Sequence, residues 1–243
     1  YEDIKTATDL KNIFFNMGGN YRLANHIVLE GNWIPLGDKD TAFTGILDGN
    51  GYIIKNLKIE SISAYTGLFA VNRGTIKNIG FEAAYNKTDH ASAVVGIIAG
   101  WNYGIIENVY TYGEISNYGD TNYSYNGGIV GGNLGVIRKA FTAVKITTSS
   151  YYSRDNHTSN GGIAGYSSGN IYDVLSFAEM IHKTSGSYKT GSLVGKQEST
   201  AKMTNAYRIT DYSNHNKIGV LMDIETVKTS RFIYETLLFD RSI

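Results

Sequence analysis

The feature that most constrains this chain is an internal repeat, because a period of a few tens of residues predicts stacked units rather than one globular core. Each of the first four copies has a short apolar strand, a turn glycine, and an isoleucine two residues later that opens a second strand, whereas a fifth copy lacks the turn glycine. The closest copies are GLFAVNRGTIKNI from Gly67, IIAGWNYGIIENV from Ile97, GIVGGNLGVIRKA from Gly128 and GIAGYSSGNIYDV from Gly162, with a longer fifth copy from Ser192. We therefore predict strand, turn and strand in each unit.

A position that is mostly Asn or Asp follows the second strand of each copy, where a short polar side chain can hydrogen-bond within a turn. We align it as His26, Asn56, Asn78, Asn108, Lys139, Asp173 and Asn205, and the successive spacings are 30, 22, 30, 31, 34 and 32. The shortest spacing is taken as the length of one coil. This predicts about seven coils, in a stack roughly 34 Å tall at about 4.8 Å per coil.

A further strand beyond that position alternates strictly between two faces, and a slip of one residue would exchange them. Its inward positions are Val109, Thr111, Gly113 and Ile115, then Ala140, Thr142, Val144 and Ile146, then Val174, Ser176, Ala178 and Met180. One outward column holds Glu114, Lys145 and Glu179, and opposite charges on neighbouring strands support this register. The extra residues all follow this strand, at 86–95, 117–126, 148–160 and 182–190. Insertions confined to one edge are typical of a solenoid.

These patterns predict an all-β chain, a right-handed parallel β-helix that forms a single domain over residues 1–243 and is excised from a larger protein. Open ends expose strand edges and need covers. Residues 1–20 are predicted to form an amphipathic cap helix with Thr8 as N-cap, Gly18 as the stop, and Leu10, Ile13, Phe14 and Met17 at helical spacing. Coils occupy residues 21–220. Residues 221–243 are predicted to form a second helical cap through Val227, Phe232, Ile233, Leu237 and Leu238.

Composition excludes several kinds of partner and chemistry. Lys and Arg total 22 and Asp and Glu total 22, so the charge balance does not favour nucleic acid as a partner. The apolar runs, such as residues 93–99, are too short to insert into a membrane as a helix. The chain has no cysteine, which excludes thiolate metal sites and cysteine nucleophiles.

From about Tyr21 onward the chain resembles the GLUG-motif repeat family of bacterial secreted and cell-surface proteins, named for a Gly-Leu-aromatic-Gly strand. GLFAVNRGTIKNIGF is close to that motif, and the segment from YRLANHIVLEGNWIPLG to FTGILDGNGYIIKNLKI is similar to the usual entry into such arrays. Arrays of this kind also occur in immunoglobulin A protease-type zinc metalloproteases. The resemblance implies a parallel β-helix within a large exported bacterial protein, secreted or at the cell surface, which serves as a stalk, spacer or recognition module.

No catalytic residue, metal site or cofactor is assigned from the sequence. The five histidines, His26, His90, His157, His182 and His215, include no pair one helical turn apart with a glutamate between them. The alternative function is a carbohydrate-active β-helix enzyme, a polysaccharide lyase or glycoside hydrolase, which needs several charged groups that converge in a groove. The close acidic group Asp38, Asp40 and Asp48 is better explained as a solvated turn. We expect a non-catalytic module, whose full-length parent can still be a zinc metalloprotease.

Two surfaces are candidates for recognition. The insertions mix Tyr, Ser, Asn and Gly, a composition typical of adaptable binding loops. Their tyrosines are expected to project along one edge and bind a host protein or glycan: Tyr118, Tyr123, Tyr125, Tyr151, Tyr152 and Tyr188. The second surface is an apolar docking stripe on the outward face, for a neighbouring domain of the same polypeptide. It consists of Tyr110, Tyr112, Phe141, Leu175, Phe177 and Tyr207.

Overall fold

A computed structural model describes residues 1–118, 123–149, 158–184, 188–209 and 219–227 of the chain. It shows an all-β parallel β-solenoid of about six turns with one short helix near the N-terminus. In chain order, the elements are β1 (Glu2–Ile4), α1 (Ala7–Asn12), a 3₁₀ helix (Ile13–Asn16), β2 (Asn20–Leu23), β3 (Ile27–Val28), β4 (Ile46–Asp48), β5 (Ile53–Lys55), β6 (Lys58–Ser61), β7 (Tyr65–Thr66), β8 (Phe69–Asn72), β9 (Thr75–Thr88), β10 (Val94–Val95), β11 (Ala99–Asn102), β12 (Ile105–Asn117), β13 (Ser124–Gly127), β14 (Val130–Asn133), β15 (Val136–Thr148), β16 (Thr158–Gly161), β17 (Ala164–Ser167), β18 (Asn170–Ser176), β19 (Glu179–His182), β20 (Tyr188–Gly191), β21 (Val194–Gln197), β22 (Met203–Arg208), β23 (Val220–Leu221) and α2 (Ile224–Val227).

Three parallel sheets form the walls of the solenoid. Sheet one contains 13 strands, and its longest members are β9, β12 and β15. Sheet two contains β7, β10, β13, β16 and β20, and sheet three contains β8, β11, β14, β17 and β21. Each turn passes from sheet two through sheet three to sheet one. The predicted inward face is confirmed, since Val109 pairs with Ala140 and Ala140 with Val174, all three buried.

The turns are longer and fewer than the sequence predicted. Ile53 pairs with Gly80, and Ile46 pairs with Thr75, and both separations exceed the shortest spacing of the Asn column. The same register sets Asn56 beside Ala83 rather than Asn78. His26 also lies outside the Asn column. Ile27 pairs with Ile54, so His26 aligns with Ile53 and not with Asn56. The shortest spacing, from Asn56 to Asn78, therefore compares two different corners of the coil and is shorter than one turn. Aligning both residues in one column made the predicted number of coils too high.

The rest of the Asn column is confirmed and marks a bend in sheet one. Asn78, Asn108, Lys139, Asp173 and Asn205 all have φ between 48° and 54°. Asn and Asp tolerate this left-handed region better than other non-glycine residues. The Nδ2 of Asn108 donates to the Oδ1 of Asn78 at 2.9 Å, and the Nδ2 of Asn205 donates to Asp173 at 2.8 Å.

A second ladder of asparagines, not predicted from the sequence, lies inside the solenoid two residues before the turn glycines. Asn72 donates to Asn102 at 2.7 Å, and Asn102 donates to Asn133 at 2.8 Å. All three are fully buried, and Asn133 continues the ladder to the Oγ of Ser167 at 3.3 Å. Each amide therefore satisfies its neighbour in the adjacent turn, as buried polar groups require. Asn recurs at this position in three of the repeat copies, so the sequence pattern could have predicted this ladder.

The N-terminal cap differs from the prediction in its start and in one inward residue. Thr6 rather than Thr8 is the N-cap, because its Oγ1 accepts from the Asp9 N–H while the Asp9 carboxylate accepts from the Thr6 N–H. Leu10, Ile13 and Met17 are buried in the core as expected, but Phe14 is 53% exposed. The helical path tightens to a 3₁₀ helix at Ile13, which turns Phe14 away from the core.

The predicted C-terminal cap falls mostly outside the described residues. The short helix α2 is described, whereas Phe232, Ile233, Leu237 and Leu238 are not. The second helical cap therefore stays a prediction, as does the right-handed sense of the coil. Among the described residues, none of the helices has the length and hydropathy that crossing a bilayer requires.

Candidate functional site

The insertions leave the solenoid along one edge, as predicted. They connect sheet one to sheet two, joining β9 to β10, β12 to β13, β15 to β16 and β19 to β20. Their central residues 119–122, 150–157 and 185–187 are not among the described residues. Tyr151, Tyr152 and His157 therefore lie outside the described part of the chain.

Hydrogen bonds between side chains close the bases of three insertions. We call this set the polar corner: Asn117, Asn126, Thr148, Asn160, His182 and Thr190. Asn117 donates to Asn126 at 2.9 Å, Asn160 donates to Thr148 at 3.1 Å, and the His182 Nε2 lies 3.0 Å from the Thr190 Oγ1. Bonds between turns link these pairs, for example from Asn126 to Asn160 at 2.9 Å. The insertions thus start and end at residues whose side chains are held in place by hydrogen bonds to one another.

The predicted edge tyrosines divide into three groups. Tyr118 and Tyr123 are exposed, at 39% and 59%, and project at the edge as expected. Tyr125 lies on the outer face of sheet two, where its ring packs 5.1 Å from that of Tyr166. Tyr188 does not project, because its ring is buried and stacks on His182 at 4.0 Å.

His182 connects the polar corner to Tyr188. Its Nδ1 lies 3.2 Å from the Thr148 Oγ1, so both ring nitrogens face hydroxyl groups. His182 keeps an exposed edge, but partial burial of its ring lowers the pKa of His182 below its ordinary value of 6.5. The neutral imidazole is therefore the form that this corner favours.

The predicted docking stripe is not a uniform apolar surface. At one end, the Tyr110 hydroxyl donates to Glu82 at 2.9 Å, and Glu82 pairs with Lys55 at 3.2 Å. Burial, followed by the bond to Glu82, raises the pKa of Tyr110, and the same hydroxyl lowers the pKa of Glu82. At the other end, Leu175 is buried rather than exposed. The half-buried residues that cover it are Phe141, Phe177, Tyr207, Ile209 and Met222.

Between these ends, the outer face of sheet one forms an open groove of about 570 Å³. Tyr112, 59% exposed, and Phe177 stand on its walls, and Ala143 lies between them. The charged column Glu114, Lys145 and Glu179 lines the same groove in the predicted register.

A β-bulge in β9 shapes one end of this groove. The pairing of β9 with β12 shifts between Thr111 and Gly113, so that Glu82 and Ala83 together lie opposite Tyr112. Ala83 has a left-handed φ of 51°, whereas the strand runs on without such a residue at Tyr112 and Ala143. The backbone therefore bends at Ala83 but not at the aligned positions Tyr112 and Ala143, and the groove opens where this bend is absent. Sequence reasoning missed this groove because the bulge has no glycine or proline to signal it.

An aromatic cluster at the junction of sheets two and three was also missed. The Trp101 ring packs 5.8 Å from that of Tyr125 and 6.1 Å from that of Tyr166. A side chain at Gly132 would collide with the Trp101 ring, so the ring fills the space beside that glycine. Lys196 lies 5.4 Å from the centre of the Tyr166 ring. These rings pack mainly on one another, which suits a stabilising role.

Among the described residues, no group of three or more His, Asp or Glu side chains is arranged to hold a metal ion. His26 accepts from the Ile53 N–H at 3.1 Å, and His90 accepts from the Ser92 N–H at 3.0 Å. His215 lies outside the described part of the chain.

The fold and its edge define the class of protein, a parallel β-solenoid with loops inserted at one edge. No protein-family model matches the chain. A solved structure with the same fold is titled as a putative immunoglobulin A1 protease from Bacteroides ovatus. It has a TM-score of 0.63 and 18% sequence identity, and the match covers 96% of this chain and 86% of that one.

Three curated proteins are similar to parts of the chain. A protein of Evansella cellulosilytica, named "Putative Gly-rich membrane protein", is 34% identical over 118 residues, which is 44% of this chain and 14% of that protein. Halomucin of Haloquadratum walsbyi is 36% identical over 97 residues, 39% of this chain and 1% of halomucin. Zinc metalloprotease ZmpC of Streptococcus pneumoniae is 30% identical over 169 residues, 55% of this chain and 9% of that protein. The matched segments are thus a small part of each relative.

Proposed function

We propose that the chain is a non-catalytic module of a large exported bacterial surface protein, where it acts as a rigid spacer and presents a recognition edge. The observation that carries this proposal is that similar segments make up 14%, 1% and 9% of three otherwise differently named proteins. A segment that recurs in different proteins is typical of a structural module rather than of one shared activity. Membership of the GLUG-motif family and a parent related to immunoglobulin A proteases belong to this proposal.

The internal structure supports the spacer role. Parallel pairing runs without interruption through nine strands of sheet one, and two buried side-chain networks link successive turns. Such a stack resists bending because successive turns are hydrogen-bonded to each other in all three sheets. Two domains attached at opposite ends of the stack would therefore be held at a fixed distance from each other.

The location is tested on intact cells. An antibody raised against this chain should label unpermeabilised cells of the source organism or detect the parent protein in the medium. Signal that appears only after permeabilisation would contradict the proposal. An antibody against a cytoplasmic enzyme of the same cells controls for leakage.

The recognition role belongs to the insertion edge, where Tyr118 and Tyr123 are exposed. Replacing Tyr123, Tyr151 and Tyr152 together by alanine should weaken binding to immobilised host secretory glycoproteins at unchanged thermal stability. The matched control is Tyr103→Ala, since Tyr103 is an exposed tyrosine on another face. Equal binding by the triple variant and the control would exclude the edge as the recognition surface.

A carbohydrate-active enzyme is the second candidate, and one observation favours it. Glu114 and Glu179 line one groove with Lys145, which is the kind of charged convergence that sugar chemistry requires. Incubation with a panel of polysaccharides, followed by assays for new reducing ends and for unsaturated uronic products, distinguishes the two functions. Product release that Glu114→Gln abolishes would establish the enzyme and refute the non-catalytic module.

A further inference from the structure

The groove on sheet one offers apolar faces and polar groups side by side. Tyr112 and Phe177 are two turns apart, roughly 9.6 Å at about 4.8 Å per turn. Ala143 separates them on the intervening strand, so the space between the rings is not filled by a side chain of comparable size. The rings therefore flank a gap in which a flat apolar face can lie.

The two walls are held in different ways. Phe177 packs edge-on against Phe141 at 5.3 Å and covers the buried Leu175, which restrains its ring. Tyr112 is 59% exposed, so its ring can adjust to a ligand. A restrained wall and an adjustable wall suit a ligand that enters from the open side.

Charged side chains run beside the rings at the same spacing. Glu114, Lys145 and Glu179 occupy consecutive turns of one column, each two residues beyond a wall or floor residue of the groove. Within the described part of the chain, none of the ion pairs includes Glu114, Lys145 or Glu179. Carboxylates that accept and an ammonium that donates are thus directed to the groove at intervals of one turn.

We infer that this groove binds a neutral glycan chain that lies along the axis of the solenoid. Sugar rings present C–H faces that stack on aromatic rings and hydroxyl edges that hydrogen-bond carboxylate and ammonium groups. A linked sugar advances by about one turn of the stack per residue, so successive sugars meet successive turns. The inference goes beyond the proposed recognition edge, because it assigns a separate binding surface on sheet one and the class of its ligand.

Charge selects among glycans. Two glutamates and one lysine give the groove a net negative charge, which repels sialic and uronic acids and accepts neutral or N-acetylated sugars. A docked protein domain is a poorer occupant, because it would desolvate all three charges and must supply a partner for each.

The test uses the full chain and an array of oligosaccharides of two to six sugars in three classes: neutral, N-acetylated and sialylated. We expect binding to neutral or N-acetylated members and none that requires sialic acid. Tyr112→Ala should weaken the affinity for the strongest neutral member about tenfold, as loss of one aromatic contact predicts. Ala143→Leu should abolish binding, because the new side chain fills the gap between the rings.

The matched control is Tyr103→Ala, since Tyr103 is an exposed tyrosine on another face, and Tyr123→Ala separately tests the insertion edge. Unchanged affinity in this control together with the two losses supports the groove. Loss with Tyr123→Ala but not with Tyr112→Ala overturns the groove and leaves recognition at the edge. Absence of any glycan binding overturns the inference alone, because surface labelling tests the proposed function separately. Thermal melting of each variant excludes unfolding as the cause of a loss.

Discussion

Single residues set the bends of each turn through an unusual backbone conformation. The bend of sheet one requires a left-handed φ, and Asn or Asp occupies it in four of the five register positions between Asn78 and Asn205. Lys139 is the exception, with φ of 50°. A side chain longer than Asn gains no compensating local hydrogen bond there. Lys139 also interrupts the ladder, because its ammonium cannot continue the amide-to-amide bonds.

Replacing Lys139 by Asn should therefore raise the free energy of unfolding by about 1 kcal/mol. The new amide can donate to Asn108, as Asn108 itself donates to Asn78. Lys139→Gly is the matched control, since glycine relieves the backbone strain without extending the ladder. Urea unfolding measures both. Destabilisation by the Asn variant would refute the strain argument.

Individual elements depend on polar side chains at their ends. Helix α1 begins with a capping box in which Thr6 and Asp9 satisfy each other's backbone N–H groups. The insertions depend on the polar corner, because its side chains hydrogen-bond one another across the gap between sheets one and two. In the capping box, by contrast, the side chains replace missing backbone partners.

Thr6→Ala should lower the free energy of unfolding by about 1 kcal/mol, the usual cost of losing an N-cap. Thr8→Ala is the control, since the neighbouring threonine is exposed and does not cap the helix. Chemical denaturation of the two variants gives the comparison. A larger loss for Thr8→Ala would restore the sequence-based N-cap assignment.

The polar corner should be sensitive to mild acid. Burial lowers the folded-state pKa of His182, so the unfolded chain takes up a proton more readily than the folded one. The resulting stabilisation is complete above the ordinary pKa of 6.5 and is lost as pH falls through the lower folded value. The melting temperature should therefore fall between about pH 7.5 and about pH 5.5, and His182→Gln should flatten that fall. An identical pH profile in the variant would contradict this role.

At the scale of the whole molecule, the solenoid is a one-dimensional stack in which each turn contacts its neighbours. Ile105 pairs with Val136, so the segment 105–135 is one complete turn in the middle of the stack. Stability is then close to a sum over turns and their interfaces. Removing a complete turn should leave the remaining register intact.

Deletion of residues 105–135 joins Gly104 to Val136 and should give a folded, shorter solenoid. Its denaturant m-value should fall by about one eighth, because m follows the surface exposed on unfolding. Deletion of residues 105–126, which has the length of the shortest spacing in the sequence, should disrupt folding because strands would join out of register. Circular dichroism and urea titration separate the outcomes. A well-folded 105–126 deletion would argue for the shorter coil.

By itself, the sequence determined the parallel β-solenoid, its inward face and the edge that carries the insertions. It could do so because strict alternation and a repeated turn glycine are local patterns, legible in one strand at a time. Only the tertiary structure decided the length of a turn, the burial of Leu175 and Tyr188, and the groove between Tyr112 and Phe177. Those features depend on which residues of different turns lie side by side. The bulge at Ala83, which no local signal marks, shifts that alignment by one residue.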